Sequence, residues 1–267
     1  MNNTKPLFRW SIGDISKKES FDVLKQSIRF LKKIYGKSFD YIICYNIIDQ
    51  EKINILKNIS KVYDVALHKQ KWKESPIPDY IPIYKKEKYI DSSKTSGSLW
   101  KYCPNRLRKY SYEILIDNDL VIFEKIKPID EFLNSKCVLL SKDNLRFFGR
   151  YDFLHPENVA FNSGIIGLPP LFDFHNEIKQ IWNKYKLYNL SYSDEQGLIT
   201  YVLTNVNHIL VDTHEIGIFH HDLYFDGKNK INYSQISLNK FKGLHFVGIN
   251  RRQNHNGWNY YNQLKLL

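Results

Sequence analysis

The order of segments in this chain predicts an α/β fold, a mostly parallel central sheet flanked by helices in one domain spanning residues 1–267. Three observations carry that prediction. Apolar, strand-like segments alternate with helix-periodic ones from Leu7 to Leu67, the pattern of a doubly wound sheet. A further apolar run, Glu113-Ile114-Leu115-Ile116, ends in carboxylates, and sheets of this kind bind ligands beyond the carboxyl ends of their strands. Hydrophobic residues make up 43% of the 267, and 15% are aromatic, enough for a continuous core.

Leu7 to Ile12 forms the first strand, stopped at Gly13-Asp14. Phe21, Leu24, Ile28 and Leu31 keep helical spacing, with Lys32 and Lys33 in the last turn and Gly36 placed to cap it. Phe39 to Tyr45 is a second strand, Gln50 to Ser60 a helix, and Val62 to Leu67 a third strand. No GxGxxG follows strand one, so the usual dinucleotide fingerprint is missing. From His68 to Thr95 prolines break the periodicity and a long surface loop is expected. A short helix from Ser96 to Tyr102 precedes the acidic strand, and a helix at Pro128–Leu133 and a strand at Cys137–Leu140 follow it. Helices are expected at Asp173–Tyr185 and Asp194–Thr204, with strands near Ile165, Ile209 and Phe246.

The net charge of +11 favours anionic partners. The lysines are scattered, however, so a solvated basic surface is expected rather than a nucleic-acid stripe. No apolar stretch approaches a membrane span and Met1 to Pro6 is no secretory signal, so the expected location is the cytoplasm. Cys44, Cys103 and Cys137 are odd in number and outside any CxxC pair, which argues for reduced thiols and against a zinc site.

Asp117 and Asp119 lie two apart after a buried strand, so both carboxylates can face one hard cation and leave it positions for a phosphate. Three later segments supply what such a site lacks. Phe161-Asn162-Ser163-Gly164 reads as a turn into an apolar strand, where Gly164 lets backbone approach a ligand and Asn162 offers a donor and an acceptor to sugar hydroxyls. Ser193-Asp194-Glu195-Gln196 opens a helix whose first turn presents Asp194, Glu195 and Gln196 to the site. His245 can be a third metal ligand, giving a nitrogen and oxygen set suited to manganese, and Arg251 beyond it can reach a diphosphate.

With these segments in place the chain resembles a GT-A (Rossmann-like) glycosyltransferase of family eight, the glycogenin and retaining galactosyltransferase group. The likeness lies in Asp117-Asn118-Asp119, Asn162-Ser163-Gly164, Asp194-Glu195-Gln196 and His245-Phe246-Val247-Gly248, with Arg251 in the family's lysine position. It departs where Glu195 intrudes between the expected Asp and Gln, and where Arg252 and Gln253 replace Pro and Trp. The resemblance implies Mn2+ or Mg2+ held by Asp117, Asp119 and His245, and a nucleoside-diphosphate sugar, in the first place a UDP-sugar, as donor. A saccharide or glycan would be the acceptor, with retention of anomeric configuration and no nucleic-acid partner. Asn118, Asn162, Ser163, Gly164 and Arg251 then line the donor, Lys101 or Arg106 touches its phosphates or sugar, and Trp10, Gly13, Tyr45 and Asn46 line the nucleotide end. The segment with Trp258, Tyr260 and Tyr261 is expected to close over the ligand.

Two rivals compete. Ile116 to Val121 also fits the nucleophile strand of a haloacid-dehalogenase-like phosphatase, with Asp117 as nucleophile and Asp222 to Asp226 as its later acidic motif. That motif normally opens the domain, and here it does not. A basic nucleic-acid or glycan-binding protein that needs no metal is the other.

Overall fold

A computed structural model describes residues 5–13, 16–71, 101, 105–185, 193–220, 223–226, 229–249 and 255–264. The amino-terminal half alternates as expected: β1 (Leu7–Gly13), α1 (Lys18–Tyr35), β2 (Asp40–Asn46), α2 (Gln50–Tyr63) and β3 (Ala66–Lys69). α1 stops where Gly36 takes a positive φ of 53° and returns its N–H to the Lys32 carbonyl. α2 runs past its expected end, because Val62 faces solvent and Asp64 closes the helix in the left-handed region. The third strand therefore begins only at Ala66.

After β4 (Glu113–Asp117) and β5 (Leu120–Ile122) come α3 (Lys127–Phe132), β6 (Val138–Lys142), β7 (Phe161–Leu168), α4 (Phe174–Lys184), α5 (Asp194–Thr204) and β8 (His208–Val211). Seven strands form the main sheet in the order β3-β2-β1-β4-β7-β6-β8. β1, β2, β3 and β4 are parallel, and β7 runs against both β4 and β6. In the strand pairing Ile114 and Ile116 pack with the α1, α2 and α3 layer, while Leu115 packs with α4 and α5 on the other face.

A second sheet accompanies the expected central one. It runs β11-β10-β9-β12-β5, built from β9 (Ile216–His220), β10 (Leu223–Asp226), β11 (Asn229–Ile231) and β12 (Gly243–Val247) together with β5. α6 (Asn256–Leu264) packs against it, with Trp258 and Tyr261 buried on Phe246. The expected closing segment is, over these residues, a packed helix. Among the described residues no helix is long and apolar enough to cross a membrane.

Candidate active site

β4 ends at Asp117 in the main sheet, and a two-residue turn, Asn118-Asp119, carries the chain into β5 of the second sheet. The acidic pair therefore stands at the junction of the two sheets. β12 lies antiparallel to β5 with His245 opposite Leu120, and the Phe246 N–H donates to the Asp119 carbonyl at 2.8 Å. That register brings His245 Nε2 to 3.1 Å from Asp119 Oδ1 and 3.6 Å from Asp117 Oδ2. One ligand atom from each of the three lies within 4.8 Å of the others. Two carboxylates and an imidazole converging in this way fit a divalent cation such as manganese or magnesium.

Lys101 and His245 set positive charge against Asp117, Asp119 and Glu195. Burial opposes charge on Lys101, but Asp117 and Glu195 outweigh it and hold the ammonium's pKa above its ordinary value. Burial likewise opposes charge on His245 and Asp119, yet their attraction raises the imidazole and lowers the carboxyl. Lys101 Nζ stands 2.9 Å from Asp117 Oδ1, 2.8 Å from Ser163 Oγ and 3.4 Å from Glu195 Oε1. Ser163 Oγ in turn lies 3.2 Å from Glu195 Oε1.

The Asn162-Ser163-Gly164 segment is not a turn but part of β7, and it projects beyond the end of β4. β6 pairs Leu140 with Ile166 and then Ser141 with Asn162, so β7 bulges through residues 163–165 toward the carboxylates. Asn162 is buried and committed: its amide donates to Asp143 at 2.9 Å and its oxygen accepts the Gly164 N–H at 2.6 Å. Gly164 makes room for a side chain rather than a ligand, since a Cβ there would stand 2.6 Å from His245 Cε1.

In α5 the three polar residues of the first turn go to different partners. Asp194 is fully buried, with its carboxylate taken by the Arg150 backbone N–H at 2.6 Å and guanidinium at 2.9 Å. Gln196 donates to the Phe147 carbonyl at 3.1 Å. Glu195 is the one that reaches the cluster.

Gly13, Asn46 and Asp117 share one edge of the sheet, with Gly13 in register with Asn46 and Ser11 with Asp117. Tyr45 is half-buried there, and Asn46 Nδ2 is buried with no partner among the described residues, a donor left for a ligand. Trp10 is not at that edge. It sits mid-strand, fully buried toward α1, and its indole donates to Ser27 Oγ at 3.0 Å. Arg106 is also removed: its guanidinium donates to the carbonyls of Leu168, Pro169, Phe172, Arg108 and Ser111, at the opposite end of β4 from Asp117. Asn118 is buried within the turn, and Arg251 lies outside the described residues.

Sequence reasoning passed over four residues that brace the site. Arg150 holds Asp194 and Asp143 holds Asn162. Arg9 pairs with Glu113 at 2.7 Å inside the core and donates to the Lys101 carbonyl at 3.4 Å. A charged residue in the middle of an apolar strand was the available signal for Arg9. His220, on β9, looks toward Asp143 at 3.9 Å.

No family model and no curated protein matches the chain. Solved structures do. A galactosyltransferase, LgtC, in complex with donor and acceptor sugar analogs, aligns over 97% of this chain and 94% of that chain with a TM-score of 0.58 at 11% identity. This chain has the GT-A fold. An active-site mutant of LgtC, with glutamate in place of a glutamine, aligns over the same shares with a TM-score of 0.58 at 9% identity. The glycosyltransferase GlyE of Streptococcus pneumoniae TIGR4 aligns over 100% of this chain and 61% of that chain, with a TM-score of 0.53 at 12% identity.

Proposed function

We propose that the protein is a metal-dependent glycosyltransferase that moves a sugar from a nucleoside-diphosphate sugar, in the first place a UDP-sugar, to a saccharide or glycan with retention. The observation that carries this reading is the convergence of Asp117, Asp119 and His245 at the carboxyl edge of β4 in a GT-A fold, with Lys101 beside them. Asp117, Asp119 and His245 would hold Mn2+ or Mg2+, and the ion supplies Lewis-acid neutralisation of the leaving diphosphate. Lys101 adds a fixed positive charge to the same place. Asn46, Tyr45 and Gly13 at the neighbouring strand ends are the nucleotide side, and Asn46 Nδ2 is its unclaimed donor.

Glu195 takes the part first expected of Gln196 or Asp194. Its buried carboxylate, held by Ser163 and Lys101, is placed to stabilise positive charge on the departing sugar. Retention then needs no protein nucleophile, because the departing phosphate oxygen can take the acceptor proton on the same face. The phosphatase alternative is not favoured, since the matching folds are GT-A and Asp117 is tied to Lys101 and approached by His245 from a second sheet. A panel of nucleotide sugars with Mn2+ or Mg2+ tests the proposal by slow hydrolysis and sugar transfer. Metal-dependent turnover of at least one donor is expected; turnover unaffected by chelator would refute it.

A further inference from the structure

His220 and Asp143 form a polar pair that the metal cluster does not use. His220 closes β9, whose Ile218 stands directly beside His245 of β12. Two residues further along, His220 projects from the same face of the second sheet, about 7 Å from the His245 level at roughly 3.3 Å per residue. Its Nε2 has no hydrogen-bond partner among the described residues and stands 3.9 Å from Asp143 Oδ1. Asp143 cannot swing away, since Asn162 Nδ2 at 2.9 Å and the Leu145 N–H at 3.0 Å hold its carboxylate. Asn162 also holds the Gly164 N–H, and Gly164 packs on the His245 ring, so the pair is braced against the metal cluster itself.

Two aromatic rings flank the imidazole. Phe147 lies with its centroid 6.0 Å away and is 46% exposed, and Phe225 meets the imidazole edge-on at 5.9 Å. The loop bearing Phe147 is fastened to α5 by Gln196, next to Glu195 of the cluster. Burial, helped by His245 and opposed by Asp143, pushes His220 below its ordinary pKa, so the ring is neutral and can both donate and accept. An exposed aromatic face beside a two-way hydrogen-bonding group suits a sugar ring, whose C–H face is apolar and whose rim is hydroxylated.

We propose that His220, Asp143 and Phe147 form a saccharide subsite that seats the hydroxyl-bearing ring of the acceptor beside the metal cluster. A hydroxyl seated between His220 Nε2 and Asp143 Oδ1 bridges the two, and Phe147 is the apolar floor. The inference rests on the glycosyltransferase reading and deepens it.

Histidine-labelled protein tests both separately by NMR, with the His220 and His245 ring signals assigned from His220→Gln and His245→Gln. Mg2+ with UDP is added first, then the methyl glycosides of glucose, galactose, mannose and N-acetylglucosamine in turn. The expected result is that Mg2+ with UDP moves His245, and at least one glycoside then moves His220 saturably. Phe147→Ala should raise that glycoside's half-saturation about tenfold. His245 moving while every glycoside leaves His220 unmoved would overturn the subsite alone. An unmoved His245 in the first step would overturn the glycosyltransferase reading, and the subsite with it.

Discussion

Glu195 and His245 carry most of the chemistry that individual residues can be asked about. Glu195→Gln keeps the shape and the bonds to Ser163 and Lys101 but loses the charge. Losing one charge-assisted contact costs about 1.5–3 kcal/mol, so kcat should fall roughly ten- to a hundredfold without vanishing. A loss beyond about ten-thousandfold would instead make Glu195 an obligatory base or nucleophile. His245, raised by Asp119 and Asp117 against the effect of burial, keeps its proton to higher pH in the metal-free protein than a free imidazole does. Metal ligation requires the neutral ring, so binding expels a proton and apparent metal affinity rises with pH up to the raised pKa, then levels. Calorimetry from pH 6 to 9 should show that rise in the native protein and lose it in His245→Asn; equal slopes in both would contradict the assignment. The sign for stability is opposite. In the metal-free protein the raised His245 stabilises the fold below its unfolded pKa of about 6.5, and this is lost as pH climbs through the folded value. Asp117, Asp119 and His245 were legible as a set from residue type and order. That Glu195 and not Gln196 reaches the cluster was not, because which side chain of a helix's first turn faces a site depends on how the helix is docked.

At the scale of elements, β7 decides how close the two sheets come. Gly164→Ala would place a methyl 2.6 Å from both His245 Cε1 and Asn162 Oδ1, and neither has slack to give. Overpacking of this kind costs about 1–3 kcal/mol, and displacing the His245 ring should weaken Mn2+ and UDP binding by tenfold or more while far-UV circular dichroism stays native. Native metal affinity in that variant would mean that Gly164 does not set the position of His245. The sequence pointed to Gly164 as a point of close approach, yet assigned the approach to a ligand. Asn162 to Gly164 read as a turn because Asn, Ser and Gly are turn residues, and a bulge inside a strand uses the same residues. β1, α1, β2, α2 and β4 were legible because their apolar spacing is regular and long. β9, β10 and β11 were missed, since strands of three to five residues carry little periodicity.

Over the whole molecule, the second sheet and α6 complete the site on the Rossmann-like core, because the chain leaves the main sheet at the acidic turn and β5 then pairs with β12 of the second sheet. The sequence offered His245 as a ligand from its donor type and its place at a strand end, but nothing local to Leu244-His245-Phe246 says which strand lies beside it. Retention belongs to this scale too: proton NMR of the product before mutarotation should show the donor's anomeric configuration, and an inverted product would contradict it. The central claim is that Asp119, 6% exposed and bonded to His245, holds the ion on which turnover depends. Metal stabilisation of a leaving diphosphate is worth several kcal/mol, about a thousandfold or more in rate. The most direct test is the rate of UDP-sugar turnover with Mn2+ in native protein and in Asp119→Asn, each with its melting temperature. The account predicts a thousandfold or greater loss in a folded variant; an undiminished rate, or one indifferent to excess chelator, would contradict it.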